Sequence, residues 1–293
     1  MKYIEKHPMI MILVGIVGIS MSAIFVKFSQ APSAVTAAWR LLWTVILMSP
    51  VTLGNRRIRE ELAHLSPKTA FLSALSGVFL AVHFAVWFES LHHTTVASST
   101  TIVCTEVIWV SLGYCLFLKG QLTGKAVTAI AVTVVGSVVI ALADSSTGGS
   151  HLYGDVLALI AAVAVAVYTL IGRVVREHTS TTVYTYLCYS ACALSLLGVC
   201  AAAGTGLLAY GGSAIAVGLL LAVFSTILGH SIFTWCLKYF SPSFVSASKL
   251  CEPVVSAVLA LFLFGEAPAP LQVLGGALIL GGVLYYSHIE NTA

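Results

Sequence analysis

Five formally charged residues fall inside long apolar stretches of the chain: Arg40, Glu89, Glu106, Lys249 and Glu252. At the centre of a bilayer a charge costs about 2.5–3.5 kcal/mol on insertion scales, so such residues face a protein interior or a wet cavity and mark substrate or ion pathways. Lys249 and Glu252 stand three apart in SASKLCEPVVSA (246–257). On one helix they share a face and can neutralise each other, and Val245 and Ser256 continue that stripe. Pro253 has no N–H and disrupts the helix ladder one turn back, around residue 249. A carbonyl freed there is able to bind a ligand, a proton donor or water. The alternative role for the pair is an ion pair that only fixes helix packing.

Glu106 has no cation on its own helix. A carboxyl group that loads and releases a proton is what coupling to a proton gradient requires. The other roles open to it are a hydrogen bond across a helix interface and an ion pair with Lys249. Glu89 precedes His92 and His93 at the end of its stretch, which suits an external gate or proton entry, or a residue reaching the outer interface. Arg40 has three options: pairing with Glu89, snorkelling outwards, or binding a substrate carboxylate. His83 and His230 are further candidates for substrate or proton binding, against the plainer role of packing histidines. Trp87 shares a face with His83, four residues away, and Thr226, His230 and Thr234 form an i, i+4, i+8 stripe. Tyr186 lies on a face with Thr182 and Tyr189, where aromatic rings either pack or line a pocket.

Other chemistries find no support. There is no Walker GxxxxGK[ST], no dinucleotide fingerprint after a strand and no HExxH, so neither a cofactor nor a metal site is expected. The seven cysteines form no CxxC pair and fall mostly in apolar segments, as packing residues do. Lysines and arginines are scattered rather than gathered on a basic face, which argues against nucleic acid as a partner.

The elements that must position these residues follow from composition. Of 293 residues, 59% are hydrophobic and 9% charged, with mean hydropathy +1.00. Soluble domains carry about 25% charged residues, so the chain reads as an all-α, multispanning membrane protein whose surroundings are the lipid bilayer. Spans of about 20 apolar residues fall at 9–28, 33–53, 69–91, 95–118, 124–143, 153–172, 181–203, 213–237, 242–264 and 270–288, ten transmembrane helices in all. Pro32, the run GNRRIREE (54–61), Gly120, SSTGGS (145–150), Gly211–Gly212, Pro242 and APAP (267–270) punctuate them. The first stretch follows Lys2 and Lys6 as a signal peptide would, but it lacks an A-x-A site and reads as a retained span. With both termini cytoplasmic, eleven basic residues fall on the inner side and only Lys27 near the outer.

An internal repeat runs through this pattern. VSLGYCLFLKGQ (110–121) and VSAVLALFLFGE (255–266) match at six of twelve positions, at an offset of 145 that Gly136 and Gly281 share. Thr105–Glu106–Val107 lies over Cys251–Glu252–Pro253. The repeats are 1–148 and 149–293, of five helices each. Five is odd, so the copies cross the membrane in opposite directions. Inverted repeats characterise secondary transporters, whose substrate binds near the midplane. The glycines Gly15, Gly18, Gly275–Gly276 and Gly281–Gly282 suit close helix contact.

The stretches WFESLHHTTVASS (87–99), LFLKGQLT (116–123) and CEPVVSAVLALFLFGEAPAPLQVLGGALILGGVLYY (251–286) resemble the EamA-type branch of the drug/metabolite transporter superfamily. The resemblance covers essentially the whole chain. It implies ten helices, a central cavity, alternating access and, as a rule, a bacterial inner membrane. It also implies export of a small metabolite such as an amino acid, an amine or a nucleobase-like compound. Members often carry proline where this chain has Val107, so a proline kink is expected only in the second repeat. The expectation is therefore a secondary transporter of a small polar or amphipathic metabolite, with protons as the coupling ion and Glu106, Lys249 and Glu252 binding substrate or protons. The rivals are an intramembrane enzyme, with His83 or His230 beside a serine, and a channel or receptor.

Overall fold

The structure is a computed structural model that describes residues 8–94, 96–144, 152–264 and 269–292. Lys2, Lys6, the 145–150 run, Gly265–Glu266 and Ala267–Pro268 lie outside the described residues, as do the side chains of Lys27 and Ser256. The described chain is helical apart from short turns. Its helices are α1 (Pro8–Lys27), α2 (Ser33–Gly54), α3 (Arg56–Ala63), α4 (Pro67–His93), α5 (Val96–Cys104), α6 (Glu106–Phe117), α7 (Gly124–Asp144), α8 (Leu152–Arg176), α9 (Thr181–Ala202), α10 (Gly211–Leu220), α11 (Ser231–Cys236), α12 (Pro242–Lys249), α13 (Glu252–Phe264) and α14 (Pro270–Thr292), with a π-helical segment (Leu221–His230) joining α10 to α11.

Eight helical stretches among the described residues are long and apolar enough to cross a membrane, and Gly124–Ile140 is a shorter apolar one. The ninth expected span, 242–264, is interrupted near residue 249, where Pro253 leads one to expect a disrupted ladder, and forms two helices, α12 and α13. The GNRRIREE run is also more ordered than a loop. It forms α3, whose N-terminus is capped by Asn55 accepting from the Arg57 N–H at 3.0 Å, and none of whose residues is buried. Large apolar side chains such as Phe117, Leu142, Phe262 and Leu284 are exposed while serines, threonines and histidines are buried. That inversion suits a surface solvated by lipid.

The chain forms two compact units, and each draws on both halves of the sequence. The first comprises 1–85 and 167–239, with α1, α2, α3, most of α4, the end of α8, α9, α10, the π segment and α11. In it α1 packs on the π segment, and α2 on α9 and α10. Close approach explains Gly18: a Cβ there would lie 2.7 Å from the Phe224 carbonyl oxygen. The second comprises 86–166 and 240–293, where α7 packs on α14 and α6 on α12. Gly136 and Gly275 meet so tightly that a Cβ on either would fall 2.7 Å from the other's carbonyl oxygen.

Candidate functional site

In the second unit, three charges gather at helix ends. Glu106 is the first residue of α6, Lys249 the last of α12 and Glu252 the first of α13. Helix dipoles favour anions at N-termini and cations at C-termini, so each charge sits at the end that suits its sign. Both segments break in the same manner. At Thr105 (φ −63°, ψ −5°) the backbone N–H bonds the Ile102 carbonyl, and the Thr105 hydroxyl donates to that same oxygen at 2.6 Å. At Leu250 (φ −59°, ψ −15°) the N–H bonds the Ala247 carbonyl, and that of Cys251 bonds the Ser248 carbonyl. These are i→i+3 bonds, the tightened turn of a 3₁₀ helix.

Lys249 Nζ lies 2.9 Å from Glu106 Oε1, and the two side chains are only 11% and 6% exposed. The helix that carries Lys249 ends there, and its ammonium reaches Glu106, the repeat counterpart that the sequence also offered as a partner. Glu252 stays in the cluster: it, Glu106, Lys249 and Cys251 all act electrostatically on the buried Cys104 thiol. Pro253 occupies the first turn of α13, as the kink required. The first repeat breaks as well, at the Thr105 turn and without a proline. Three buried serine hydroxyls on the same helices went unrecognised in the sequence: Ser243 and Ser246 on α12 and Ser111 on α6 have no hydrogen-bond partner among the described residues. Ser243, Ser246 and Lys249 repeat every three residues, a polar period that could have revealed them.

The first unit holds a second cluster. Arg40 is 1% exposed and does not snorkel, which corrects that option. Its Nε donates to Thr226 Oγ1 at 2.7 Å and its Nη1 to Ser22 Oγ at 3.4 Å, while its Cζ lies 4.1 Å from the Phe84 ring centroid. His83 and His230 flank the same phenyl ring, with centroids 5.1 and 5.4 Å from it and 6.5 Å from each other. Tyr168 packs against His230 and shares a 2.8 Å hydrogen bond with Thr234, and Tyr189 pairs with Ser231 at 3.0 Å. The expected i, i+4, i+8 stripe is corrected in its register. Residues 221–230 are π-helical, and Ser231 donates from both N–H and Oγ to the Thr226 carbonyl five residues back. Thr226, His230 and Thr234 nevertheless all join this cluster. π segments often mark functional sites; Phe84 and Ser22 carried no signal in the sequence.

The remaining candidates join other contacts. Glu89 Oε1 is 3.1 Å from His93 Nε2 on its own helix, both about half-exposed. Trp87 is buried against Phe88, and the Tyr186 hydroxyl pairs with Ser49 at 3.1 Å. Among the described residues no group of three metal-binding side chains converges.

Comparison with known proteins follows the same lines. The model of the EamA-like transporter family matches residues 7–142 and again 152–287. The chain is 23% identical over 270 residues to an uncharacterised transporter of Clostridium kluyveri, covering 89% of this chain and 85% of that one. It is 25% identical over 285 residues to an uncharacterised transporter of Archaeoglobus fulgidus, covering 95% and 97%, and 22% identical over 280 residues to one of Bacillus subtilis, covering 95% and 87%. A solved crystal structure superposes with a TM-score of 0.79 over 98% of both chains at 18% identity, a likeness of fold.

Proposed function

Because the chain belongs to the EamA-like transporter family, we propose that it is a secondary active transporter that exports a small polar or amphipathic metabolite by alternating access, coupled to protons, and not an enzyme. The excess of basic residues on one side of the spans supports cytoplasmic termini, and a bacterial inner membrane is the setting this reading assigns to it. The observation that carries the mechanism is the buried Lys249–Glu106 pair at the junction of two broken helices. Transporters build midplane sites from discontinuous helices whose ends offer dipoles and free backbone groups.

In this reading Glu106 and Glu252 exchange protons as the site opens to each side. Lys249 holds Glu106 as a carboxylate in one state and releases it for protonation in the other. Substrate binds near the pair, where Ser243, Ser246 and Ser111 offer hydroxyls with no partner among the described residues. Repeats 1–148 and 149–293 supply the two helix breaks in inverted copies.

The test is proton movement in proteoliposomes carrying a pH-sensitive dye, screened with amino acids, amines, nucleobases and carboxylates. At least one class drives saturable proton flux in the wild-type protein. Glu106→Gln and Glu252→Gln insert normally and lose or uncouple that flux. Wild-type flux in both variants would falsify the assignment, chemical turnover in detergent would make the protein an enzyme, and non-saturating flux would make it a channel.

A further inference from the structure

We propose that a file of buried hydroxyls between α6, α12 and α14 in the second unit holds water and carries protons between Glu290, at the end of α14, and the Lys249–Glu106 pair. The proposal rests on the proton-coupled reading and deepens it by giving the proton a route.

Two helices running in opposite directions frame the file. At one end Glu106 of α6 meets Lys249 of α12 at 2.9 Å. At the other, the Tyr286 hydroxyl of α14 stands beside Ser241 and Ser243, close but without the geometry of a hydrogen bond, and within electrostatic reach of Glu290 and of Tyr114 on α6. The steps from Glu106 to Tyr114 and from Lys249 to Ser243 span about 12 and about 9 Å of helix. Ser111 and Ser246 lie at the levels between, on helices that pack together.

Ser243, Ser246, Ser111 and Tyr286 are at most 7% exposed, and none of their hydroxyls has a hydrogen-bond partner among the described residues. Such groups are costly when dry. A helical serine in apolar surroundings has a local outlet, the carbonyl four residues back. Ser248 uses it, donating to the Phe244 carbonyl at 2.9 Å. Ser246 has the Pro242 carbonyl in the same relation and leaves it unused, so its hydroxyl is left for a partner outside its own helix.

Water fits that need. Ser243, Ser246 and Lys249 recur every three residues, so their side chains stand on one face about 5–6 Å apart. That is too far for a direct hydrogen bond, and it is the span of one bridging water with two bonds of about 2.8 Å. Hydroxyls and waters donate and accept at once. Each member therefore takes a proton from one neighbour and passes its own to the next: Glu290 loses a proton, Glu106 gains one, and the file between them is left neutral. A substrate at the pair would meet the inner end of the file, which leaves Ser243, Tyr286 and Glu290 to serve protons alone.

The experiment reads water access in full-length protein in detergent. The probe is silver ion in chloride-free buffer, small enough to follow water and reactive towards thiolate. Ser246→Cys and Ser248→Cys, in a background lacking the native thiols, make the same change on opposite faces of α12. Silver blocks Ser246→Cys against later maleimide labelling at least about tenfold faster than Ser248→Cys, and adding Ser243→Leu slows that block at least about tenfold. Equal rates, an inert Ser246→Cys, or no effect of Ser243→Leu overturns the proposal. Should the thiol-free background fail to fold, a wild-type structure that resolves water decides: waters bridge Ser243, Ser246 and Ser111, and a dry interface overturns the file. In proteoliposomes, Tyr286→Phe keeps its ring against Phe244 and its stability, yet lowers coupled proton flux at least about tenfold; full flux in this variant also overturns the proposal. The silver measurement needs no substrate, so its failure condemns the file alone, whereas wild-type protein that moves protons with no compound condemns the transporter reading.

Discussion

A lysine and a glutamate taken out of water together offset only part of the hydration each loses, and neither can be removed alone without cost. Lys249 and Glu106 are 143 residues apart in sequence and 2.9 Å apart in space. Truncating one partner of a buried pair costs about 3–5 kcal/mol, whereas replacing both with apolar or neutral groups is often neutral or stabilising. Lys249→Met and Glu106→Gln should therefore each lower apparent stability in detergent, and the double variant should recover most of the loss. Two silent single variants would show that the pair is wet or dispensable. Flux in the double variant separates structure from function. A recovered fold without coupled transport marks the pair as machinery, and recovered transport makes it packing. The sequence identified Glu106, Lys249 and Glu252 because charge in an apolar run is conspicuous. It could not show that Lys249 reaches Glu106, because a contact between residues so far apart in sequence appears only with tertiary packing.

Helix breaks are where an element can differ from the residues that signal it. Pro253 marks one break, and the first repeat breaks at Thr105 with Val107 in the corresponding place. Both turns use i→i+3 bonds with ψ drawn towards zero, so the break does not depend on the missing N–H of proline. Pro253→Ala is accordingly expected to change stability by less than about 1 kcal/mol and to retain most of the flux. An Ala variant as inactive as Glu252→Gln would assign the second break to the proline after all. Most other elements were legible from runs of apolar residues and their Gly and Pro punctuation, and Gly15 and Gly18 packed closely as their spacing suggested, against Phe233 and Phe224. The π segment was not legible. No Pro or Gly pair marks its start, and its extra residue per turn shows only once Ser231 donates to a carbonyl five residues back. The Phe84 cluster was hidden for a related reason: an apolar ring that gathers three basic groups looks in sequence like any other core phenylalanine.

At the scale of the whole molecule, the membrane reading is a statement of parity. If every segment spans, five crossings separate the α2–α4 connection from the α9–α10 connection: α4, α5 with α6, α7, α8 and α9. One of the five is not obvious by length, since the apolar part of α7 is the shorter stretch Gly124–Ile140, and another is long enough but broken at Thr105. An odd number puts the two connections on opposite sides. Cysteines introduced at the exposed positions Arg57 and Gly206, in a background lacking the native thiols, should then react with a membrane-impermeant reagent from opposite faces, Arg57→Cys only from the cytoplasm. Three more crossings, including the broken α12–α13, separate Gly206 from His288, so His288→Cys should label with Arg57→Cys. Labelling of Arg57→Cys and Gly206→Cys from one side would mean that one of the five segments dips without crossing. The two repeats would then not be inverted, and the equivalence of Glu106 with Glu252 would lose its geometric basis. Opposite labelling keeps that equivalence and requires the two broken helices to present their glutamates from reversed directions. A site built this way can offer the same chemistry to either face of the membrane, which is the condition alternating access imposes.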